Sequence, residues 1–419
     1  MEVIVVGAGI GGLTLALALH CVGISARVFE SSPEIAPLGA GINVLPHASK
    51  ELGELGLDSE LSRVAVETRE AVFYNRFGQL IYREALGRGA GYASPQFSIH
   101  RGDLQRVLLQ ACEERLGTGR IHLGWQCTAF EQNSNCVTLK FTDARTGAER
   151  AEQRGDVAVG CDGLHSVIRK QLHPNEGEPR YSGVNMWRGV TPWKPFLSGA
   201  SMVRAGWLTH GKMVIYPIRN NIDAQGRQLV NWVAEIETPA HRDKRDWNRP
   251  GRVDDFIGAY EDWHFDWLDV PAMIRATEPI LEFPMIDQDP LPWWTLGRVT
   301  LLGDAAHPML PRGSNGAGQA ILDAKALADM LVLHASDPAA ALRQYEAVRR
   351  PATTKVVLTN RTNPPDAIIR EVHLRTGDKP FERIEDVISN EELRAISDSY
   401  KRVAQYDRDS LSRQSPGGK

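Results

Sequence analysis

The first thirty residues carry the pattern that most constrains the fold. Val3–Val6 is a continuous apolar run, typical of a parallel strand buried on both faces. A glycine-rich turn follows at Gly7–Gly12, and the apolar stretch Leu13–Ala18 predicts the start of a helix. A second strand, predicted over Ala26–Phe29, ends at the acidic Glu30. Strand, glycine turn, helix, strand and acidic residue in this order predict a dinucleotide-binding α/β fold.

Each glycine of this turn has its own physical task. Gly7 allows the tight turn, Gly9 lets the backbone approach a pyrophosphate, and Gly12 lets the helix pack closely on the strand. Backbone N–H groups at the start of the helix then face the phosphate charge. Glu30 is expected to accept hydrogen bonds from a ribose hydroxyl. FAD and NAD share this fingerprint, so these residues leave the choice between them open.

Length and composition exclude several other classes of protein. A chain of 419 residues is expected to form two or three domains or lobes, and its 42% hydrophobic and 24% charged residues are typical of globular proteins. A net charge of −4 gives no reason to predict nucleic-acid binding. Five cysteines without close pairs predict reduced thiols in a cytoplasmic protein. The apolar run 10–24 is too short and glycine-broken to span a membrane, so a soluble protein is expected.

Two later segments repeat the pattern of a buried strand that ends in an acidic turn. The strand predicted over Val157–Val159 runs into a turn with Asp162, and a helix is predicted to begin near Ser166. The strand predicted over Val299–Leu302 runs into a turn with Asp304 and then a long glycine-rich loop. Open α/β sheets bind ligands at the carboxyl ends of their strands, so we expect all three turns to lie together.

A helix is predicted after the glycine-rich loop, with Ser314 or Asn315 as its N-cap. The helical spacing of the apolar residues is clear at Ala317, Ala320, Ile321, Ala324, Ala328 and Leu331. This helix is expected to point its N-terminus, and therefore its positive dipole end, toward the ligand.

Residues 181–284 differ in character, because they are rich in tryptophan and in short strand-like runs. A helix is predicted over Val253–Trp267, and the mixed charges at 242–246 predict a solvated surface. The runs predict a mostly antiparallel sheet with strands at Gly189–Thr191, Lys212–Tyr216, Leu229–Val233 and Ile280–Phe283.

The predicted fold class is α/β, with a Rossmann-like nucleotide fold, an inserted and mostly antiparallel β-sheet lobe, and a helical C-terminal extension. Within the extension, a helix is predicted over 384–400 and a frayed end from Ser410. The predicted segments are 1–180 and 298–362 for the two parts of the nucleotide fold, 181–297 for the β-rich substrate lobe, and 363–419 for the charged extension.

The three motifs at Gly7–Gly12, Asp162-Gly163 and Gly303-Asp304 resemble, in content and order, those of the FAD-dependent aromatic hydroxylases built on the para-hydroxybenzoate hydroxylase fold. The resemblance extends from Met1 to about Arg361, and the tail departs from it. Stretches similar to the phenazine-biosynthesis monooxygenases that act on 5-methylphenazine-1-carboxylate are Met186–Thr191, Val230–Val233 and Asp287–Pro292.

This resemblance implies a monooxygenase that binds FAD without a covalent link and takes electrons from NADH or NADPH. Its substrates would be dioxygen and an aromatic or heteroaromatic small molecule, carboxylates among them, hydroxylated through a flavin C4a-hydroperoxide. The flavin supplies this chemistry, while the protein supplies orientation and a dry pocket. The alternatives are a flavin-dependent reductase or halogenase on the same fold, or a non-catalytic flavin-binding protein.

The resemblance also assigns residues to the cofactor. Arg101 would contact the FAD phosphate and flavin, the main chain of Cys127 the adenine, and Asp304 the ribityl chain or pyrophosphate. The loop 311–317 would lie along the isoalloxazine ring. The expected cofactor-binding set is Gly7, Gly9, Ile10, Gly11, Gly12, Glu30, Gly41, Arg101, Cys127, Asp162, Asp304, Pro311, Gly313, Asn315, Gly316 and Ala317.

A substrate pocket is expected between the nucleotide fold and the tryptophan-rich sheet. Arg188 is a candidate partner for a substrate carboxylate, and His47 or Tyr216 for deprotonation of a phenolic substrate. The candidate walls are Leu45, His47, Trp187, Arg188, Tyr216, Trp232 and Pro311.

Three other polar residues near the motifs complete the interpretation. Asp162 and Arg169 are implied, by the resemblance, to serve both the pyrophosphate and the reductant. His307, in Ala305-Ala306-His307, is interpreted as structural, because the resemblance implies that the family uses this motif position structurally. No HExxH, Ser-His-Asp or CxxC pattern is present, so neither a metal centre nor hydrolase chemistry is predicted.

Overall fold

The computed structural model describes residues 1–35, 39–238 and 249–413. The solvated surface predicted at 242–246 lies outside these residues. The strands are β1 (Glu2–Val6), β2 (Ser25–Glu30), β3 (Gly41–Val44), β4 (Val66–Glu67), β5 (Glu70–Tyr74), β6 (Leu80–Ala85), β7 (Phe97–His100), β8 (Ile121–Leu123), β9 (Trp125–Gln132), β10 (Val137–Asp143), β11 (Glu149–Gly155), β12 (Val157–Gly160), β13 (Arg180–Trp193), β14 (Ser201–Gly206), β15 (Lys212–Arg219), β16 (Gln228–Glu237), β17 (Arg249–Pro250), β18 (His264–Phe265), β19 (Leu268–Asp269), β20 (Leu281–Asp287) and β21 (Val299–Leu301).

The α-helices connect and cover these strands. They are α1 (Ile10–Cys21), α2 (Pro46–Glu54), α3 (Asp58–Val64), α4 (Arg101–Leu116), α5 (Val167–Leu172), α6 (Val270–Arg275), α7 (Gly316–Leu333), α8 (Pro338–Thr362), α9 (Ala367–Thr376), α10 (Asn390–Val403) and α11 (Arg408–Arg413). Within the described ranges, no helix has both the length and the apolar character needed to cross a bilayer.

A parallel sheet with the order β21-β12-β1-β2-β8 forms the nucleotide fold. Strand β1 lies at its centre, and the side chains of Val3, Ile4 and Val5 are completely buried. Helix α1 packs against α4 and α7, and α7 packs against α8. The α/β prediction is therefore confirmed, with the three motif strands β1, β12 and β21 adjacent in one sheet.

The tryptophan-rich segment forms most of a second sheet with the order β17-β20-β13-β16-β15-β14-β5-β6. Its strand pairs are antiparallel except for the parallel pair of β14 with β5, so the predicted sheet is confirmed. Strands β5 and β6 precede residue 181, so the sheet also draws on the N-terminal segment. The C-terminal extension packs on these two strands, where Phe73 and Ile81 meet Ile369, Val372 and Leu393.

The prediction of a helix over Val253–Trp267 is wrong. This segment instead forms two 3₁₀ turns, at Val253–Asp255 and Ile257–Ala259, and the short hairpin β18–β19. The physical reason is the sheet beneath it, because the buried Tyr260 hydroxyl donates to the carbonyl oxygens of Lys212 (3.0 Å) and Glu235 (3.1 Å). Tertiary burial of aromatic rings here overrides helical propensity.

The helix predicted over 384–400 is confirmed only in part. A 3₁₀ turn occupies Ile384–Asp386, and α10 begins at Asn390 because Ser389 and Glu392 form a capping box. Helix α11 covers Arg408–Arg413, where a frayed end was predicted from Ser410.

The glycine turn is closely packed. Gly7 has a φ of 106°, and a Cβ at this position would collide with the carbonyl oxygen of Cys161. A Cβ at Gly12 would collide with the carbonyl oxygen of Gly7, and one at Gly11 would lie 2.8 Å from Leu302. The turn therefore fixes α1 against β1, against the turn after β12, and against the end of β21.

A buried ion cluster holds the third motif against the helices. Asp323 of α7 accepts hydrogen bonds from His307 Nε2 (2.6 Å), Arg349 Nε (2.7 Å) and the Gly303 backbone N–H (3.1 Å). Burial raises the pKa of Asp323, but the charges and hydrogen bonds of His307 and Arg349 outweigh it and lower the pKa to about 2. His307 thus has the structural role that the sequence predicted.

We expect Asp323→Asn to lower the free energy of unfolding by about 3–5 kcal/mol, because it leaves the Arg349 charge buried without a carboxylate. Urea denaturation of the purified protein measures this. The control is Asp329→Asn on the same helix, whose half-exposed ion pair with Lys325 is worth at most about 1 kcal/mol. Equal losses in the two variants would contradict the role given to Asp323.

The same cluster predicts a pH dependence. The folded-state pKa of Asp323 lies below its unfolded value of about 3.9. Its stabilising contribution is therefore present above pH ~4 and is lost as the pH falls toward 2. Acid titration of the unfolding free energy should show a smaller decrease in Asp323→Asn than in the natural protein.

Candidate active site

The carboxyl ends of β1, β12 and β21 lie at one edge of the parallel sheet, as the sequence predicted. The backbone of Cys161 donates to Val6 (2.7 Å), and that of Leu302 donates to Gly160 (2.9 Å). Helix α1 starts here with Gly9 at its N-cap and without a side-chain cap. A Cβ at Gly9 would meet nothing within 4 Å among the described residues. The N–H groups at the start of α1 therefore face open space, which suits a pyrophosphate.

Glu30 lies at the end of β2 and supports the glycine turn. Its Oε2 accepts a hydrogen bond from the Ala8 backbone and its Oε1 from the Ser32 backbone, both at 2.7 Å. A carboxylate offers about four lone-pair sites, so acceptor capacity is left for a ribose hydroxyl. Gln105 of α4 donates to the carbonyl oxygen of Ala8 (2.8 Å) and steadies the same turn.

Asp162 caps α5. Its carboxylate accepts hydrogen bonds from Ser166 Oγ (2.5 Å) and the Val167 backbone (2.8 Å). Burial raises its pKa, and these hydrogen bonds oppose the shift. Cys127 of β9 is a buried thiol. Burial, together with the charge of Asp162, raises the pKa of this thiol to about 12.

Arg169 connects the second motif to the third. Its Nη1 donates to the carbonyl oxygens of Ala305 (2.9 Å) and Ala306 (3.1 Å), and its Nε donates to Glu176 (2.6 Å). Only 2% of this residue is exposed. Arg169 thus positions the turn that carries Asp304, a different use from the pyrophosphate and reductant contacts implied by the resemblance.

Asp304 and Arg101 are exposed at the edge of the site. Asp304 lies beside the start of α7, 3.7 Å from the Cβ position of Gly316. Arg101 is the first residue of α4, and its backbone donates to Ala40 (3.1 Å). Neither side chain has a hydrogen-bond or ion-pair partner in the described ranges. Both are available to a phosphate or a hydroxyl group of the cofactor.

Helix α7 begins without a side-chain cap, so the predicted capping by Ser314 or Asn315 is wrong. Asn315 occupies the N-cap position, but its Nδ2 donates to the Tyr400 hydroxyl (3.1 Å) instead. Its Oδ1 is buried and lacks a partner in the described part of the chain. The first N–H groups of α7 are therefore available to an anion, as the N1–C2 carbonyl edge of a reduced flavin requires.

The C-terminal extension fixes the glycine loop. The hydroxyl of Tyr400 in α10 lies where a Cβ of Gly313 would be, which explains the glycine. This hydroxyl donates to Asn360 Oδ1 (2.7 Å), and Asn360 Nδ2 donates to the Leu310 carbonyl oxygen (3.0 Å). Sequence reasoning missed Tyr400 and Asn360, because a single polar residue on a helix gives no signal of its distant partner.

His47 lies beside this loop. Its ring is buried, stacks on Tyr406 at 5.5 Å, and lies 3.4 Å from the Cβ position of Gly318. Burial lowers its pKa to about 3, the charge of Arg349 adds to this, and the neighbouring Asn315 opposes it. The imidazole is therefore neutral at physiological pH. Leu45, at the N-cap of α2, is also buried, and neither Leu45 nor His47 is among the residues that line the cavity between the large sheet and the loop 311–314.

A cavity lies between the face of the large sheet and the loop 311–314. Its walls include three of the predicted residues, Arg188, Tyr216 and Pro311. Apolar side chains of β13, β14, β15 and β16 complete the sheet side with Met186, Met202, Val214 and Val233. The cavity thus lies where the sequence placed the substrate, between the nucleotide fold and the second sheet.

Trp187 and Trp232 do not line this cavity, and the prediction that they would is wrong. Neighbouring residues of a strand face opposite sides of a sheet, so Trp187 points away from the face that carries Arg188. Its ring stacks on Phe256 at 4.9 Å in the core behind the sheet. Trp232 is fully buried there, and its Nε1 donates to Thr277 Oγ1 (2.9 Å).

Tyr216 joins the large sheet to the nucleotide fold. Its hydroxyl donates to the Gly41 carbonyl oxygen (2.7 Å), and the Gly41 backbone donates to Asn231 Oδ1 (2.7 Å). A Cβ at Gly41 would lie 2.7 Å from Ile218, which requires the glycine. Burial raises the pKa of Tyr216 to about 12, although the charge of Arg188 opposes the shift. These contacts favour a positioning role for the phenol.

Comparisons with known proteins agree with this geometry. A family model described as FAD binding domain matches residues 1–360. Phenazine 1,6-dicarboxylic acid hydroxylase PhzS of Lysobacter antibioticus is 40% identical over 405 residues, which cover 96% of this chain and 97% of that protein. The 3-amino-4-hydroxybenzoate 2-monooxygenase PtnB3 of Streptomyces platensis is 36% identical, over 92% of this chain and 91% of that protein.

This chain belongs to the FAD-dependent aromatic hydroxylases. It is a flavin-dependent monooxygenase with FAD as its cofactor, as the resemblance implied. The structure of a salicylate hydroxylase substrate complex is 26% identical with a TM-score of 0.73, and covers 99% of this chain and 97% of its own. Klebsiella pneumoniae HpxO complexed with FAD and uric acid, 24% identical with a TM-score of 0.73, shares the fold. The family typically uses NAD(P)H as reductant.

We expect Tyr400→Phe to weaken FAD binding by up to about thirtyfold, because it removes two hydrogen bonds that hold the glycine loop, each worth about 1 kcal/mol. The phenyl ring would still cover Gly313. Titration of the apoprotein with FAD, followed by flavin fluorescence, measures the change.

The control is Tyr82→Phe on β6, a half-buried phenol without a described hydrogen bond. Unchanged FAD affinity in both variants would show that the extension does not position the loop.

Proposed function

We propose that this enzyme hydroxylates an aromatic or heteroaromatic carboxylate with FAD, dioxygen and NADH or NADPH. The observation that carries the proposal is the guanidinium of Arg188, which lines the cavity without a counter-ion in the described ranges. The relatives support it, because phenazine dicarboxylic acid, 3-amino-4-hydroxybenzoate and salicylate, the compounds in their names, are all aromatic acids.

Arg188 is half-buried, and its guanidinium has no carboxylate partner among the described residues. Its Nε is inaccessible to solvent and makes no hydrogen bond to any described residue. Burial lowers its pKa and Arg101 adds to this, while Tyr216 and Glu235 oppose the shift. Its Cζ lies 5.9 Å from the centre of the Phe283 ring, but a cation–π contact compensates a desolvated charge less than a paired carboxylate does. A substrate carboxylate would supply the missing charge and accept a bidentate pair of hydrogen bonds.

The other strand-borne charges of the cavity already neutralise one another. Lys212 Nζ contacts both carboxylate oxygens of Glu235 (3.0 Å each) and Asp366 Oδ2 (2.6 Å). Arg204 Nε lies 3.1 Å from Asp366 Oδ1. Among the described basic residues that the sheet contributes to the cavity, Arg188 is therefore the one available to pair with a ligand.

The protein's own contribution to the reaction is binding, orientation and exclusion of water. FAD, when bound, supplies the activation of dioxygen and the transfer of one oxygen atom. Met186, Val214 and Val233 give the cavity an apolar face, which excludes water from the reacting ring. The open N-termini of α1 and α7 would hold the pyrophosphate and the flavin. Arg188 would orient the aromatic ring by its carboxylate.

We expect Arg188→Gln to weaken the binding of an aromatic carboxylate about 10- to 100-fold, the range for a hydrogen-bonded charge pair of roughly 1.5–3 kcal/mol. Dissociation constants from the absorbance change of the bound flavin measure this, and substrate-stimulated oxidation of NADH and NADPH identifies the preferred reductant. Product analysis then shows whether hydroxylation retains the carboxylate.

The matched control is Arg180→Gln on the same strand, where an exposed side chain pairs with Asp289. If Arg188→Gln binds aromatic acids as tightly as the natural enzyme, the assignment of Arg188 is wrong. If no aromatic acid stimulates NAD(P)H oxidation, the proposed substrate class is wrong.

We expect Tyr216→Phe to leave the pH profile of kcat unchanged, because its phenol is held by Gly41 and its pKa of about 12 keeps it protonated at neutral pH. The variant should instead release more hydrogen peroxide per NAD(P)H, since the contact between sheet and β3 is loosened. If the pH profile of kcat for Tyr216→Phe lacks one of its two limbs, the acid–base role predicted for Tyr216 from the sequence is correct. His47→Ala, tested in parallel, examines the other candidate base.

A further inference from the structure

A second guanidinium lines the same cavity. Arg312 lies in the glycine loop, between Pro311 and Gly313, and belongs to the segment that separates the cavity from the start of α7. Its Nε is buried and makes no hydrogen bond to any described residue. Arg312 and Arg188 thus approach one cavity from the loop and from the sheet.

The charges that line the cavity do not balance. Within the described ranges they are four cations, Arg188, Arg204, Lys212 and Arg312, and two carboxylates, Glu235 and Asp366. Lys212 and Arg204 use the oxygens of both carboxylates, at 2.6–3.1 Å. Two guanidiniums are left over, so the cavity without a ligand has an excess of two positive charges.

We propose that Arg312 forms a second anion subsite, so that the enzyme's substrate is an aromatic diacid with one carboxylate at Arg188 and the other at Arg312. The inference rests on the proposed function and deepens it. Two carboxylates supply the two charges that the cavity lacks. Each guanidinium offers a planar fork of donors that matches a carboxylate.

The loop is built to hold Arg312 in place. Gly313, the next residue, is covered by the hydroxyl of Tyr400, and Ser314 has a left-handed φ of 56°. Asn360 binds the carbonyl oxygen of Leu310 on the other side of Arg312 (3.0 Å). A side chain on such a fixed backbone is suited to discriminate between ligands, because little ordering is required on binding.

The first test needs no variant. The FAD-loaded enzyme is titrated with the matched pair phenazine-1-carboxylate and phenazine-1,6-dicarboxylate, and binding is followed by the absorbance of the flavin. We expect the dicarboxylate to bind at least tenfold more tightly. Equal affinity for the two acids overturns the inference, whereas the proposed function stands if both acids still stimulate NAD(P)H oxidation. If neither acid binds, the inference is overturned as well, and the proposed function is then decided by the other aromatic acids in the NAD(P)H-oxidation assay.

The second test assigns the preference to Arg312. We expect Arg312→Gln to raise the dissociation constant of the dicarboxylate tenfold or more and to change that of the monocarboxylate less than twofold. Arg312→Lys, which keeps the charge but loses the planar fork, should recover part of the difference. Arg188→Gln should weaken both acids. Equal weakening of both acids by Arg312→Gln overturns the inference, because it would reflect damage to the loop.

Discussion

The backbone of Gly7 touches two other parts of the chain at once, and the rest of the site depends on this contact. The carbonyl oxygen of Gly7 lies where a Cβ of Gly12 in α1 would be, and a Cβ at Gly7 itself would collide with the carbonyl oxygen of Cys161 in the turn after β12. The ends of β1 and β12 are therefore held at one edge of the sheet, and α1 opens toward the space in front of them. Nucleotide binding follows, because the unpaired N–H groups of a helix start attract a phosphate.

The third motif reaches the same edge through buried charges instead of close backbone contact. Asp323 holds Gly303 and His307, while Arg169 binds the carbonyl oxygens of the following turn from the other side. Asp323 and Arg169 are both almost completely buried, and each has its charge paired by hydrogen bonds. Such pairs are costly when one partner is lost, so the turn with Asp304 has one defined position relative to the cofactor.

The glycine loop contributes to both the cofactor site and the substrate cavity, through different residues of the same short segment. Its end opens α7 toward the flavin, because Asn315 binds Tyr400 and leaves the helix uncapped. Its middle places Arg312 in the substrate cavity. Tyr400 comes from the C-terminal extension, beyond residue 360, where the match to the FAD-binding family ends. The extension lies beyond the FAD-binding family model, but the alignments with full-length relatives cover 96% of this chain, so the predicted departure of the tail does not hold for them. This extension thus shapes a loop that lies within the family model.

The sequence alone determined the strand–turn–helix motifs, the α/β class and the family, because these depend on local patterns of apolar residues and glycine. It also identified Arg188, Tyr216 and Pro311 as cavity residues. Only the tertiary structure decided that Trp187 and Trp232 face away from the cavity. Side chains along a strand alternate between the two faces of the sheet, but this alternation does not tell which face lines the cavity. The tertiary structure also decided that Asn315 contacts Tyr400 and does not cap α7, and that Arg312 forms no ion pair with a carboxylate among the described residues. Both outcomes depend on residues that are distant in sequence, and charge balance and competition for hydrogen bonds are settled only when those residues meet.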